Sequence, residues 1–154
     1  MEPSASPSTG RWYDDFEVGA VYRHWPGRTI TETDNSWFTL LTMNTHPLHF
    51  DAAYAAETQF GRPLVNSCLT LSVVVGMSVR DVSQAAIANL GFEKVALPNP
   101  VFNGDTLYAR STVLSMRVSR SDPSRGIVRV RTVGVNQDEV EVLTLERSVL
   151  VPRR

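Results

Sequence analysis

The chain has 154 residues, 42% of them hydrophobic and 20% charged, with a formal net charge of −1 at pH 7. That length suits one domain with its own core, and the charge balance excludes a strongly basic nucleic-acid groove or membrane-binding face. A single cysteine, Cys68, excludes an internal disulfide and a multi-cysteine metal site.

Residues 1–11 are expected to form a disordered tail, because the Pro, Ser and Gly of residues 1–10 bury nothing and provide no apolar leader. The folded domain is expected over residues 12–154. Trp12 to Ala20 brings aromatic anchors and a turn. Val21 to Thr31 reads as a strand with a bulge or bend at Pro26-Gly27. Thr31 to Asn35 supplies N-cap candidates for a short helix over Trp37 to Leu41. Pro47 disfavours helix at His46 and suits the first turn of a second helix, Leu48 to Thr58, which closes near Gly61 and Pro63.

Asn66 or Ser67 can cap a third helix, running from Cys68 to about Ser83. It is apolar nearly all round, which predicts a buried helix with Cys68 as an inert core thiol. Its interspersed Ser, Thr and Gly and the terminal Arg80 make it too short and too polar to span a membrane. Four strands follow: Ile87 to Leu97, Thr106 to Arg120, Ile127 to Val135 and Val140 to Val151. Asn103-Gly-Asp105, Ser121 to Gly126 and Asn136 to Glu139 are the turns between them. The expected architecture is α+β: an antiparallel sheet, its last four strands a meander, wrapped on one long central helix.

Chemistry concentrates in Thr42-Met-Asn-Thr-His-Pro-Leu-His-Phe-Asp51, where His46 and His49 lie three residues apart between Asn44 and Asp51. Asp51 reads as a carboxylate favoured by a helix N-terminus, Glu57 as helix surface, Asp105 as a turn residue and His24 as a satisfied strand histidine. No third ligand accompanies the two neighbouring histidines, so no metal is expected.

This stretch resembles the hydratase motif of the MaoC-like dehydratases, or (R)-specific enoyl-CoA hydratases, which runs roughly Ser/Thr-Gly-Asp-x-Asn-Pro-Ile/Leu-His-x-Asp. Two further landmarks match in order: Asn66-Ser-Cys-Leu69 at the opening of the central helix, and Asn103-Gly-Asp105 before a strand. The wording of Leu41 to His49 is most similar to the branch linked to mesaconyl-CoA hydratase and β-methylmalyl-CoA dehydratase. The resemblance implies a single hot-dog domain, a cytoplasmic homodimer, and reversible hydration of a 2-enoyl-CoA without a further cofactor.

The family's acid–base histidine falls on His49 and its aspartate on Asn44. His46 stands where the motif has Asn, and Asn66-Ser67 where the family has His-Gly. An imidazole of ordinary pKa, about 6.5, can take a proton from water at neutral pH. Asn44 can hold that water but cannot exchange a proton, which leaves a one-base mechanism on His49 or a second proton-transfer role for His46. Peptide N–H groups near Asn66, Ser67 and Cys68, at a helix N-terminus, suit the charge on a thioester oxygen. Arg62 is the cation assigned to the coenzyme A phosphates or a substrate carboxylate, with Lys94, Arg110 and Arg117 also available. Two other readings stay open: a thioesterase using Asp51 or Glu57, and a non-catalytic acyl-CoA-binding protein.

Overall fold

A computed structural model describes residues 10–154; residues 1–9, which hold most of the expected tail, lie outside the described residues. Arg11 already belongs to the fold, because its guanidinium donates to the Asp81 carboxylate at 3.1 Å.

Five antiparallel strands form one sheet: β1 (Val21–Thr29), β2 (Ala88–Ala96), β3 (Thr106–Val118), β4 (Arg125–Val135) and β5 (Glu141–Pro152). Their order across the sheet is β1-β3-β4-β5-β2. The register of β1 against β3 shifts between His24 and Arg28, the irregularity expected at Pro26-Gly27.

The expected four-strand meander is wrong in one step. β3, β4 and β5 follow one another as hairpins, but β2 pairs with β5 at the far edge, and β3 lies beside β1. Short connections favour sequential neighbours. The link over residues 97–105 is long enough to cross the end of the sheet, and on its way Val101 O accepts from Val65 N–H at 2.9 Å.

Three helices accompany this sheet, of which the third packs on it: α1 (Glu32–Leu41), α2 (Ala52–Ala56) and α3 (Ser67–Met77). α1 starts earlier than the sequence suggests, because Thr31 and Asp34 close a reciprocal capping box. The expected helix over Leu48 to Thr58 is split into a 3-10 turn, Pro47–His49, and the short α2, which Asp51 caps by accepting from Tyr54 N–H at 3.0 Å. The expected helix from Cys68 to Ser83 is also two pieces: α3 ends at Met77 and a π-helical turn covers Val79–Ser83.

α3 packs on β1, β3, β4 and β5. It is not buried all round: Leu69, Thr70, Val74 and Ser78 are buried, while Cys68, Ser72 and Gly76 are exposed. Cys68 is therefore a surface thiol rather than a core one. The uniform hydropathy of the helix hid this, since small residues form the outward stripe.

The core under α3 holds Ile30, Val65, Leu69, Val74, Leu107, Leu143 and Leu145. A second cluster at the other end of the sheet holds Phe16, Val82, Val113, Val128, Val130, Val149 and Val151. β5 alternates with period two, so Leu143, Leu145, Arg147, Val149 and Val151 all point inward.

Helix and sheet meet most closely at Gly134 of β4, where a Cβ would stand 2.7 Å from Val74 Cγ2. A β-branched valine has little rotamer freedom with which to move away. Gly134→Ala is expected to destabilise the fold by about 1–3 kcal/mol, read as a lower urea midpoint; an unchanged midpoint would contradict this packing.

Candidate functional site

The site is assembled from three turns. The first closes α1. Met43 N–H bonds Leu40 O at 3.1 Å and Asn44 N–H bonds Thr39 O at 3.0 Å, with Met43 at φ +60°. This is a Schellman closure with methionine in the left-handed position that glycine usually fills. Asn44 Oδ1 then accepts from His46 N–H at 3.0 Å, an Asx turn that leads the chain into Pro47.

The second turn is the 3-10 segment Pro47–His49. His46 caps it: its Nδ1 accepts from Leu48 N–H at 3.1 Å, so the neutral ring carries its proton on Nε2. His49 has the opposite tautomer. Its Nδ1 lies 2.8 Å from Leu64 O, and a carbonyl can only accept, so Nδ1 bears the hydrogen and Nε2 keeps a free lone pair. The two rings stand 5.8 Å apart, centroid to centroid. Among the described residues no hydrogen bond joins Asn44 to His49.

The third turn leads into α3. Asn66 is its N-cap, accepting from Cys68 N–H at 2.9 Å through Oδ1, while its Nδ2 donates to the buried Thr39 Oγ1 at 3.2 Å. The Cys68 amide is thus already engaged, whereas the Ser67 amide finds no acceptor among the described residues. Ser67 lines a cleft of about 250 Å³ together with Phe60, Leu64, Leu97 and Pro100. The link between β2 and β3 forms one wall of that cleft. Arg62 lies at this end of the molecule, its guanidinium 4.0 Å above the Phe102 ring, and it makes no ion pair among the described residues.

Sequence reasoning treated Asn35 only as a possible helix cap. It is instead fully buried beneath the three turns. Its Nδ2 donates to His49 O and Leu64 O, each at 3.0 Å, and its Oδ1 accepts from Asn66 N–H at 2.9 Å. The available signal was the i, i+4 spacing of two polar residues, Asn35 and Thr39, which the fold buries on one face of α1.

The third histidine lies elsewhere. His24 is buried, with Nδ1 2.9 Å from Asp81 and Nε2 2.8 Å from Ser111 Oγ. The chain resembles an acid–histidine–serine relay, but Ser111 is fully buried and shares its hydroxyl with Thr132 at 2.8 Å, so no substrate reaches a nucleophile there. Burial pushes the His24 imidazole below its ordinary 6.5; Asp81 draws it up, and Arg147 and Arg11 push it down further. Arg147, buried on β5, donates to Ser78 Oγ at 2.7 Å at the C-terminal end of α3, and burial lowers its guanidinium to about 10. Among the described residues no cluster of three His, Cys, Asp or Glu side chains is placed to hold a metal ion, and no helix is long and apolar enough to cross a membrane.

The His24 shift has a sign. Its folded pKa is depressed, so its contribution to stability is complete above the unfolded value of about 6.5 and is lost as the pH falls toward the folded value. Urea unfolding between pH 7.5 and 5 should show stability decreasing with acid, by at most about 1.4 kcal/mol per pH unit from this group. His24→Gln, less stable overall, should show a shallower slope; an equal slope would remove His24 as the cause.

A family model described as a MaoC like domain matches residues 15–136. The chain is 36% identical over 151 residues to a beta-methylmalyl-CoA dehydratase of Chloroflexus aurantiacus, covering 98% of this chain and 43% of that protein. It is 33% identical over 147 residues to a mesaconyl-CoA hydratase of Cereibacter sphaeroides, covering 96% and 43%. It therefore spans less than half the length of these curated relatives. Among solved structures, a conserved hypothetical protein of Mycobacterium tuberculosis with a double hotdog fold superposes with a TM-score of 0.87 at 25% identity, covering 95% of this chain and 45% of that one.

Proposed function

This chain belongs to the MaoC-like dehydratase family and has a hot-dog fold, and from that premise we propose that it reversibly hydrates the double bond of a short, branched or dicarboxylic 2-enoyl-CoA. The observation that carries the reading is the His49 Nδ1–H to Leu64 O bond, which leaves Nε2 with a free lone pair and ties the ring to the segment that enters α3.

In this mechanism Nε2 takes a proton from water while the water oxygen bonds to C3. The electron pair of the double bond moves toward the thioester oxygen, where peptide N–H groups hold the developing charge. The imidazolium then returns its proton to C2 on the same face. Of the three residues expected at the oxyanion position, Ser67 is the amide donor, Cys68 N–H stays with the cap, and Asn66 fixes both. Asn44 preserves the turn through its Oδ1 and offers its Nδ2–H groups to the water. His46 has its Nδ1 engaged as a cap, so its part in proton transfer is that of a donor through Nε2–H. Arg62 binds a coenzyme A phosphate or the distal carboxylate of the substrate. No cofactor beyond the thioester itself is required, and the setting is cytoplasmic.

The thioesterase reading has weaker physical support. Asp51 uses its carboxylate on Tyr54 N–H, and Glu57 follows α2 on the exposed surface. A non-catalytic acyl-CoA-binding role rests on Asn44 alone.

The working unit is a homodimer joined along β2. All nine residues of this edge strand are exposed, including Leu90, Phe92 and Val95. An unpaired apolar edge invites a second strand. In the double-hotdog relative, by this reading, the second half of the same chain supplies it.

Incubation with mesaconyl-CoA, crotonyl-CoA and their saturated analogues separates the readings. Loss of enoyl absorbance marks hydration, free thiol marks thioester hydrolysis, and retention without turnover marks binding alone. His49→Ala should lower kcat/KM for hydration by about 10²–10⁴-fold; near-normal turnover in that variant would remove His49 from the chemistry. In sedimentation at micromolar concentration the protein should run as a dimer and Phe92→Lys as a monomer; a fully active wild-type monomer would rule out pairing at β2.

A further inference from the structure

We propose that Asn35 is the positioning residue that sets the tautomer and orientation of His49. This rests on the hydration reading for its kinetic consequence, though not for its structural one. Asn35 is fully buried and is not itself a lining residue of the cleft; its bonds go to backbone and not to the His49 ring. It acts through the backbone on both sides of the imidazole. One N–H holds the carbonyl of His49 itself, and the other holds the carbonyl of Leu64, the atom that the ring bonds.

Leu64 O thus has two donors, Asn35 Nδ2–H at 3.0 Å and His49 Nδ1–H at 2.8 Å. A carbonyl has two lone pairs, and with one fixed by Asn35 the other is presented to the ring. The third bond, from Asn66 N–H to Asn35 Oδ1, ties the same amide to the cap of α3. One planar group therefore fixes the base and the helix N-terminus relative to each other.

Only an amide of this length suits the position. An aspartate keeps the shape and the bond from Asn66 N–H but loses both donors, and it turns a carboxylate toward two carbonyl oxygens. Alanine removes all three bonds. In either case Leu64 O is free to turn away, Nδ1 loses its reason to carry the hydrogen, and the ring samples both tautomers. Because Asn35 is not a lining residue of the cleft, the loss should fall on kcat rather than on KM.

The test pairs a spectroscopic measurement with kinetics in the full chain. Nitrogen-15 spectra of the histidine rings, with His49 assigned by comparison with His49→Ala, report the tautomer directly. Wild type should show protonated Nδ1 and unprotonated Nε2. Asn35→Asp and Asn35→Ala should move both His49 nitrogens toward averaged values. Their kcat should fall on the order of a hundredfold, as for a displaced catalytic group, with KM within about threefold of wild type on that same expectation. Ser111→Ala, which removes a buried hydrogen bond in the distant His24 cluster, controls for stability and should lower the melting temperature with kcat and His49 signals unchanged.

Wild-type His49 nitrogen shifts in a folded Asn35→Asp or Asn35→Ala protein would overturn the proposal, as would wild-type kcat in either. If wild type hydrates none of the enoyl thioesters while the Asn35 variants still shift the His49 nitrogens, the hydration reading fails and the positioning role stands. If Asn35→Ala does not fold, Asn35→Asp carries the test.

Discussion

A carbonyl oxygen has two lone pairs, and that of Leu64 uses both on side chains, Asn35 and His49. The arrangement joins elements far apart in sequence: α1 supplies Asn35, the 3-10 turn supplies His49, and the segment entering α3 supplies the acceptor. Each lacks a reason to be where it is without the other two. The bond from Asn66 N–H to Asn35 is buried and those at Leu64 O are partly buried, so water weakens them less than it would at the surface. Disturbing any one member would leave buried donors or acceptors unpaired, which costs more than the lost bond itself.

α3 is polarised to match. Its N-terminal end has the amide groups, one of them held by Asn66 and one left open at Ser67. Its C-terminal end, where the carbonyls carry partial negative charge, receives the buried guanidinium of Arg147 through Ser78. A cation buried without a direct carboxylate partner is unusual. Its polar partners are the hydroxyls of Ser78 and Ser83. The two ends of the helix thus differ: a guanidinium is tied to the last turn through Ser78, and an amide of the first turn stays open.

Much of this was legible in the residues, and the failures have physical causes. Cap chemistry is local, so Thr31 to Asn35 marked the start of α1 within a few residues, whereas Asp51, expected inside the first turn of a helix begun at Pro47, is the cap of α2. Strands with period-two burial were equally plain, as in β5. Strand order was not, because hydropathy says which face a strand buries and nothing about its neighbour; β2 reads the same at either edge. The exposure of Cys68 escaped because an apolar helix with small outward residues has no periodic contrast. Met43 shows the same limit at the backbone level: a left-handed position is announced by glycine or asparagine, and methionine is silent. The motif brought Asn44, His46 and His49 into one short stretch, which the fold divides between two turns. It did not place Asn35, whose importance comes wholly from what long-range folding brings above it.

Gly134 carries a consequence for how members of this family can diverge. With no side chain between β4 and Val74, the helix rests on bare peptide and cannot descend, and any larger residue would lift it. Its first turn is thereby fixed in height above the sheet. Under the proposed function, room for a different acyl group must come from the rim, the segments around Phe60 and Leu97 to Pro100, which are anchored by a few backbone bonds rather than by the core. Substrate range and fold stability are in this way assigned to different parts of the chain, and one can drift without disturbing the other.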